Sequence, residues 1–353
     1  MTTRDFEGWP SLLGRLASGS DLSAEQARAG LGSILSGAAT DAQIAAFIVG
    51  LRIKGETAEE IVGLSEAMLD VAAPLKLLPG TVDIVGTGGS VTLRDRAFNV
   101  STISSIVAAS AGATVCKHGN RKASSTSGSV DALEQLGVAV ELDGPGVERC
   151  VAEAGVGFAF ARVFHPAMRF VAGVRSELGI PTVFNILGPL SHPGRVRRQL
   201  LGVADRGRME IIAEVLATRG VDRSLVVHGI DGLDELTTTG HTTVLEIRGN
   251  EIERYEVTPR DLGLPLRTVD EVAVGDPAQN AAVARELLAG RPGPHREIVT
   301  LNAGAALYVG EVVESIAEGV ARAAAAIDSG AAAETLETLV SVSQAAAAAH
   351  ASR

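Results

Sequence analysis

Over the first 75 residues, short apolar runs are punctuated by hydroxyl residues that read as helix starts: Ser23 before Ala24-Glu25-Gln26, Thr40 before Asp41-Ala42-Gln43, and Thr57 before Ala58-Glu59-Glu60. Ser23 with Gln26, and Thr57 with Glu60, have capping-box spacing, in which an N-cap hydroxyl and a side chain three residues on satisfy each other's free backbone N–H. This segment is predicted to form a helical lobe. After Pro74 and Pro79 the pattern changes to short β-branched runs alternating with Ala-rich helical stretches. Strands are predicted over 82–85 and 113–117, and helices from Ser101 and over about 127–136, with Gly112 and Gly137 placed as C-terminal helix glycines. Further strands are predicted over 179–185, 200–204, 224–228, 243–247 and 252–257. An Ala-rich helical tail beyond Ser315 is expected to break at Asp328-Ser329-Gly330 and to fray over 345–349. Strands separated by helices indicate βαβ units. The predicted class is α/β, with a small helical lobe over 1–78 and a larger α/β lobe over 79–353 built on a mostly parallel central sheet.

A chain of 353 residues can bury a large core in two lobes. Its apolar segments are short and interrupted, well under the roughly 18 residues of a bilayer-spanning helix, so no membrane association is expected. The N-terminal Met1-Thr2-Thr3-Arg4-Asp5-Phe6-Glu7 lacks the apolar core of a secretory signal, which makes a cytoplasmic location the expectation. A formal net charge of −11 argues against nonspecific binding of nucleic acid, which needs cationic surface to replace phosphate counterions. Cys116 and Cys150 make neither a disulfide framework nor a metal cluster, and Cys116, in the run Ala113-Thr114-Val115-Cys116, reads as a buried strand position.

Against this acidic background, residues 86–122 hold five Lys or Arg and one Asp, a local charge of +4, so a small anionic ligand is expected there. The turn Gly86-Thr87-Gly88-Gly89-Ser90 follows the apolar run 82–85. Such a loop lets backbone N–H groups approach phosphate oxygens, although strand-to-helix turns also need glycine for geometry alone. It has neither the Lys-Ser/Thr of a Walker loop nor the GxGxxG pattern. Asn99-Val100-Ser101-Thr102 opens the next helix, as an N-cap or as a phosphate or metal ligand set. Lys117-His118-Gly119-Asn120-Arg121-Lys122 and Ser124-Ser125-Thr126-Ser127-Gly128-Ser129 add cations, amides and hydroxyls, and read as a second phosphate-binding segment in preference to a solvated loop. Asp234 and Glu235, in the loop after the apolar strand 224–228, suit Mg²⁺, which favours oxygen ligands and keeps waters and substrate phosphates in its shell. Arg175, after Phe164-His165-Pro166-Ala167-Met168-Arg169, offers a guanidinium fork to a small carboxylate.

Taken in this order, from the helical N-terminus to Leu301-Asn302-Ala303-Gly304-Ala305-Ala306, the motifs resemble those of the anthranilate phosphoribosyltransferase family, of the nucleoside-phosphorylase-like fold class. The blocks Lys117-His118-Gly119-Asn120-Arg121 and Asp231-Gly232-Leu233-Asp234-Glu235 carry the resemblance most specifically. It implies Mg²⁺-dependent transfer of the phosphoribosyl group of phosphoribosyl pyrophosphate to the amine of anthranilate, with release of pyrophosphate, as in tryptophan biosynthesis. The implied donor contacts are Gly86, Gly89, Ser90, Asn99, Ser101, Thr102, Lys117, Asn120, Arg121, Ser125 and Ser129. Acceptor contacts would come from Gly86, His118, Asn120, His165, Met168 and Arg175, and metal contacts from Ser101, Asp234 and Glu235. His118, a candidate proton acceptor, and Arg175 are the candidate catalytic residues. The family is usually homodimeric through the helical lobe, to which about 170–192 are expected to belong.

The chain departs from the family pattern where it meets both substrates. Ser90 stands where the family has Asp, the stretch 90–98 is longer than usual, Ala97 replaces a Thr, and Asp95 is the nearest substitute carboxylate. Arg162 replaces a Pro, and Ser176 a second Arg, beside the acceptor channel. These changes keep two alternatives open: a different aromatic carboxylate as acceptor, and a noncatalytic homologue that binds a phosphorylated ligand or nucleic acid.

Overall fold

The computed structural model describes residues 7–90, 92–93, 96–121 and 128–351. Four helices open the chain: α1 (Trp9–Ala17), α2 (Ala24–Leu35), α3 (Asp41–Lys54) and α4 (Ala58–Asp70). The last three each begin on a reciprocal capping box, at Ser23/Gln26, Thr40/Gln43 and Thr57/Glu60. Such a cap contributes about 1 kcal/mol. Glu60 does more than cap. Its buried carboxylate also accepts from the backbone N–H of Leu22 (2.9 Å) and from Lys54 Nζ (2.9 Å), so one side chain ties the entry of α2 and the exit of α3 to the start of α4.

The chain then alternates strand and helix: β1 (Val82–Gly86), α5 (Val100–Ser110), β2 (Val115–Gly119), α6 (Ser129–Leu136), α7 (Gly144–Ala154), β3 (Val156–Phe160) and the short α8 (Ala161–Phe164). Helices α9 (Arg169–Leu178) and α10 (Phe184–Leu190) return to the N-terminal helices, α9 against α2 and α3 and α10 against α4. There follow β4 (Arg198–Gly202), α11 (Met209–Thr218), β5 (Arg223–Gly229), β6 (Thr242–Arg248), β7 (Glu251–Val257), α12 (Pro277–Leu288), α13 (Pro294–Val309), α14 (Ile316–Asp328) and α15 (Ala331–Ala351). The seven strands lie in the order β3-β2-β1-β4-β5-β6-β7, parallel from β3 to β5 and antiparallel through β6 and β7. Parallel strands are buried on both faces, and successive residues serve different cores. Val82 and Ile84 join the core formed with α5 and α13–α15, whereas Val85 joins that formed with α11 and the helical lobe.

The sequence expectations differ from this structure at three places. The run 179–185 is no strand: Thr182 N–H donates to Asn185 Oδ1 (3.0 Å), and α10 starts at Phe184. A short apolar run reads alike as a buried strand or a buried helix, and packing against α4 decides. Strand β3, with the unbroken apolar sequence Val-Gly-Phe-Ala-Phe, has no counterpart among the expected strands. The C-terminal alanines do not fray. Ala346 is buried, and Gln344 Nε2 donates to Gly137 O (2.9 Å), which docks α15 beside α7.

Replacing Glu60 with Ala strips Lys54 of one carboxylate and leaves the Leu22 N–H unpaired inside the lobe. Urea unfolding of Glu60→Ala is expected to show a loss of roughly 2–4 kcal/mol, against a few tenths for an exposed helical carboxylate.

Candidate active site

The chain winds from β1 outward to β3 and returns on the other side of β1 as β4, so the strand order reverses between β1 and β4. In an open parallel sheet the crevice beyond the C-terminal ends at such a switch point is where ligands bind. Strands β1, β2, β4 and β5 all end there in glycine, at Gly86, Gly119, Gly202 and Gly229. Gly202 is sterically required, since a β-carbon there would overlap the Asp234 backbone carbonyl; one on Gly86 would displace the Asp234 carboxylate.

That contact fastens the acidic loop after β5 to the glycine turn after β1. Gly88 N–H donates to Asp234 Oδ2 (2.7 Å), Thr87 N–H donates to Gly202 O (2.9 Å), and Thr92 Oγ1 donates to Asp231 O. Asp231 in turn takes the hydroxyls of Thr237 and Thr239 (both 2.5 Å), which shapes the acidic loop from within. Gly88 and Gly89 hold φ of 67° and 85°, the left-handed region that glycine enters without strain. The result is a cleft of about 260 Å³, lined by the glycine turn, the start of α5, the end of β2, and Asp234 and Glu235.

Asp234 and Glu235 keep part of their surface open to the cleft, yet protein closes round both, and desolvation pushes both carboxyls above the ordinary range. For Asp234 the Gly88 N–H and the Lys117 ammonium oppose that shift. Glu235 lies well above its usual value because Asp234 and Asp231 add repulsion to burial, even with the Ser101 N–H donating to it. Lys117 is buried, donates to Ile84 O (2.6 Å), and is pulled back toward its charged form by Asp83, Glu235 and Asp234. A pair of carboxylates facing a single ammonium, with oxygen donors only, suits a hard divalent cation whose remaining ligands are water and phosphate. Mg²⁺ therefore fits Asp234, Glu235 and Ser101.

Behind Lys117 lies a buried cluster that the sequence motifs do not reveal. His118 stacks edge-on with His165 (centroids 5.3 Å apart) and with His192 (5.7 Å). Burial holds all three imidazoles below their usual pKa, His118 well below and His165 at about 4. Asp83, wholly buried in β1, accepts from the backbone N–H of His118 (2.9 Å) and from Gln199 Nε2 (3.2 Å). The available signal was an acid inside an apolar strand run, which demands a buried partner.

Of the residues expected to bind substrate or metal, the cleft gathers Gly86, Gly89, Ser90, Asn99, Ser101, Lys117, His118, Asn120, Arg121, Ser129, Asp234 and Glu235. Ser90 Oγ is buried without a hydrogen-bond partner among the described residues, as is Thr102 Oγ1, which lies behind the lining. Asn99 sits at the N-cap of α5 but makes no side-chain cap; its amide meets Asn280 Oδ1 (3.2 Å). Arg121 borders the cleft with its guanidinium already engaged by Glu134 (2.8 Å) and Asp131 (3.3 Å). Ser125 and Asp95 lie outside the described residues. Met168 and Arg175, on the 3₁₀ turn Pro166–Met168 and on α9, are not part of this lining. Arg175 is half-buried over the Phe184 ring (5.0 Å), and no carboxylate pairs with it among the described residues. Arg162 and Ser176 are exposed.

The fold and cleft place the chain in a class. The glycosyl transferase family matches it twice, through its helical bundle domain over residues 10–72 and its α/β domain over residues 78–333. A curated anthranilate phosphoribosyltransferase from Parvibaculum lavamentivorans is 48% identical over 330 residues, spanning 94% of this chain and 96% of that protein. The crystal structure of the Thermus thermophilus anthranilate phosphoribosyltransferase superposes with a TM-score of 0.89 at 40% identity, covering 94% of this chain and 99% of that one. The Saccharomyces cerevisiae enzyme in complex with phosphoribosyl pyrophosphate and Mg gives 0.86 at 29% identity, covering 96% and 98%. The chain belongs to the anthranilate phosphoribosyltransferase family.

Because His165 stays neutral in the folded protein down to about pH 4, the unfolded chain takes up a proton first as pH falls through about 6.5. Its contribution to stability is complete above that pH and is lost between 6.5 and 4. Unfolding free energies of His165→Phe are expected to fall less than those of the parent between pH 7 and 5, by about 2 kcal/mol.

Proposed function

We propose that the protein transfers the phosphoribosyl group of phosphoribosyl pyrophosphate to the amine of anthranilate, releasing pyrophosphate. The observation that carries this reading is the convergence of the glycine turn, Lys117 and the Asp234–Glu235 pair on one cleft that His118 also lines. Breaking the bond between C1 and pyrophosphate leaves an oxocarbenium-like sugar and a highly charged leaving group, so the barrier responds to fixed positive charge and to positioning. The Lys117 ammonium supplies that charge from the protein. The glycine turn, the Ser90 hydroxyl and the first turn of α5 supply donors for phosphate oxygens. Asp234, Glu235 and Ser101 would hold Mg²⁺, which would supply charge neutralisation for the leaving phosphates. An aromatic amine is weakly basic and attacks unprotonated, so no strong base is required.

On the acceptor side, Arg175 is desolvated, which lowers its pKa somewhat but leaves it a cation, and it has no carboxylate of its own among the described residues. It suits the benzoate group. His118, His165, Met168, Gly86 and Asn120 would frame the ring and amine. We read residues 1–78, with about 170–192, as the lobe through which two copies pair, and 79–353 as the donor-binding lobe. No described helix is long and apolar enough to cross a membrane, and the small charged substrates suit a cytoplasmic enzyme of tryptophan biosynthesis.

Mixing the protein with phosphoribosyl pyrophosphate, Mg²⁺ and anthranilate, and following acceptor loss and pyrophosphate release, tests the reading directly. Turnover is expected with anthranilate and not with unrelated benzoates; turnover of another acid alone would sink it. Asp234→Asn combined with Glu235→Gln is expected to abolish Mg²⁺-dependent turnover in a folded protein. For Arg175→Ala, loss of a charged hydrogen-bonding partner predicts a rise of roughly 10–100-fold in the KM for anthranilate, with the donor KM nearly unchanged.

A further inference from the structure

Three consecutive carbonyls at the C-terminal end of α10 take side-chain hydrogen bonds from three distant parts of the chain. Gly188 O pairs with His118 Nδ1 (3.1 Å), Pro189 O with Gln199 Nε2 (2.9 Å), and Leu190 O with Arg219 Nη1 (2.6 Å). The last carbonyls of any helix lack intrahelical partners, and buried ones must find donors elsewhere. A carbonyl only accepts. His118 Nδ1 therefore carries the proton, and the lone pair of the neutral ring is on Nε2. That Nε2 is buried and has no hydrogen-bond partner among the described residues, on a residue that lines the cleft.

Gln199 closes a ring of bonds around this histidine. The same amide nitrogen that donates to Pro189 O donates to Asp83 Oδ2 (3.2 Å), and Asp83 Oδ1 accepts from the backbone N–H of His118 (2.9 Å). His118 is thus held through its backbone by Asp83 and through its ring by α10, with Gln199 joining the two holds. The charged and titratable groups that act on the ring are His165, His192 and Lys117, while Asp83 meets only the backbone of His118. His192 is fixed as well: its Nδ1 accepts from Gly194 N–H (3.0 Å), so its Nε2–H is the donor to Cys116 O (2.9 Å). Both of its nitrogens are committed, and it cannot exchange a proton with His118.

Resting on the transferase reading, we propose that Gln199 is a positioning residue for the reaction. By holding Pro189 and Asp83 with one amide, it keeps the end of α10 against His118, maintains the Nδ1–H tautomer and leaves Nε2 as acceptor for the attacking amine. As the bond between C1 and pyrophosphate breaks, its electron pair leaves with pyrophosphate. The amine lone pair forms the new N–C1 bond, one N–H proton passes to His118 Nε2, and the imidazolium returns that proton to water after product release.

Long-range ¹⁵N–¹H spectra of histidine-labelled full-length protein at pH 7.5, with His118→Gln used to assign the signal, read the tautomer independently of turnover. The parent is expected to show Nδ1–H at His118. Gln199→Met, which keeps the side-chain volume and removes both donors, is expected to shift His118 toward Nε2–H and to lower kcat roughly 10–100-fold, with the donor KM changed less than twofold. An Nε2–H pattern in the parent overturns the proposal whether or not the variant folds. So does a change in either spectrum or kcat without the other. Parent protein with the Nδ1–H pattern that leaves anthranilate unconsumed overturns the transferase reading and the catalytic half of this proposal with it; parent turnover with the Nε2–H pattern overturns this proposal alone.

Discussion

The close approach of Asp234 to the glycine ends of β1 and β4 is the contact on which the cleft depends. Strands β1 and β5 are not neighbours; β4 lies between them, and a side chain at its last position would hold the acidic loop away from the glycine turn. With Gly202 bare, the Asp234 backbone rests on the end of β4 and its carboxylate reaches across to the Gly88 N–H. The geometry is steric before it is electrostatic. A residue larger than glycine at the end of β4 pushes the acidic loop away from the glycine turn, whatever the charges nearby.

The same packing creates an electrostatic imbalance. Asp83, Asp234 and Glu235 share the field of Lys117, and Glu235 is the least well compensated of the three. The carboxylates crowd one another more than the single ammonium compensates, which is the imbalance that the proposed Mg²⁺ would relieve. Stability and ligand affinity therefore draw on the same charges. Burial of Lys117 keeps its ammonium close to all three acids and free of the rotamer entropy an exposed lysine would lose on binding.

Much of this was legible in the chain because it is local. Ser23, Thr40 and Thr57 start helices through bonds that span three residues, and the glycine turn and Asp234-Glu235 advertise their chemistry by residue type alone. The run 179–185 was misread because apolarity marks burial and does not distinguish strand from helix. The partners of Asp83, Gln199 and His192 escaped for a different reason: the pairing of β1 with β4 sets Asp83 opposite Gln199, and the return of α10 to the sheet adds Pro189 and His192, neither of which residue type announces. Arg121 lines the cleft where its residue type led one to look, and its bonds there to the carboxylates of α6 are what residue type alone does not reveal.

At the far margin of the sheet, β7 presents Glu251, Glu253, Arg254 and Glu256 along an exposed strand of seven residues. An uncovered margin offers unpaired backbone groups to any passing strand, and alternating charge is the usual protection against that encounter. The carboxylates deny a second chain the dry, neutral surface that continued strand pairing needs. The sheet therefore ends at β7 as a matter of solubility: the residues that contribute least to the chemistry keep the enzyme from polymerising along its own hydrogen-bond ladder.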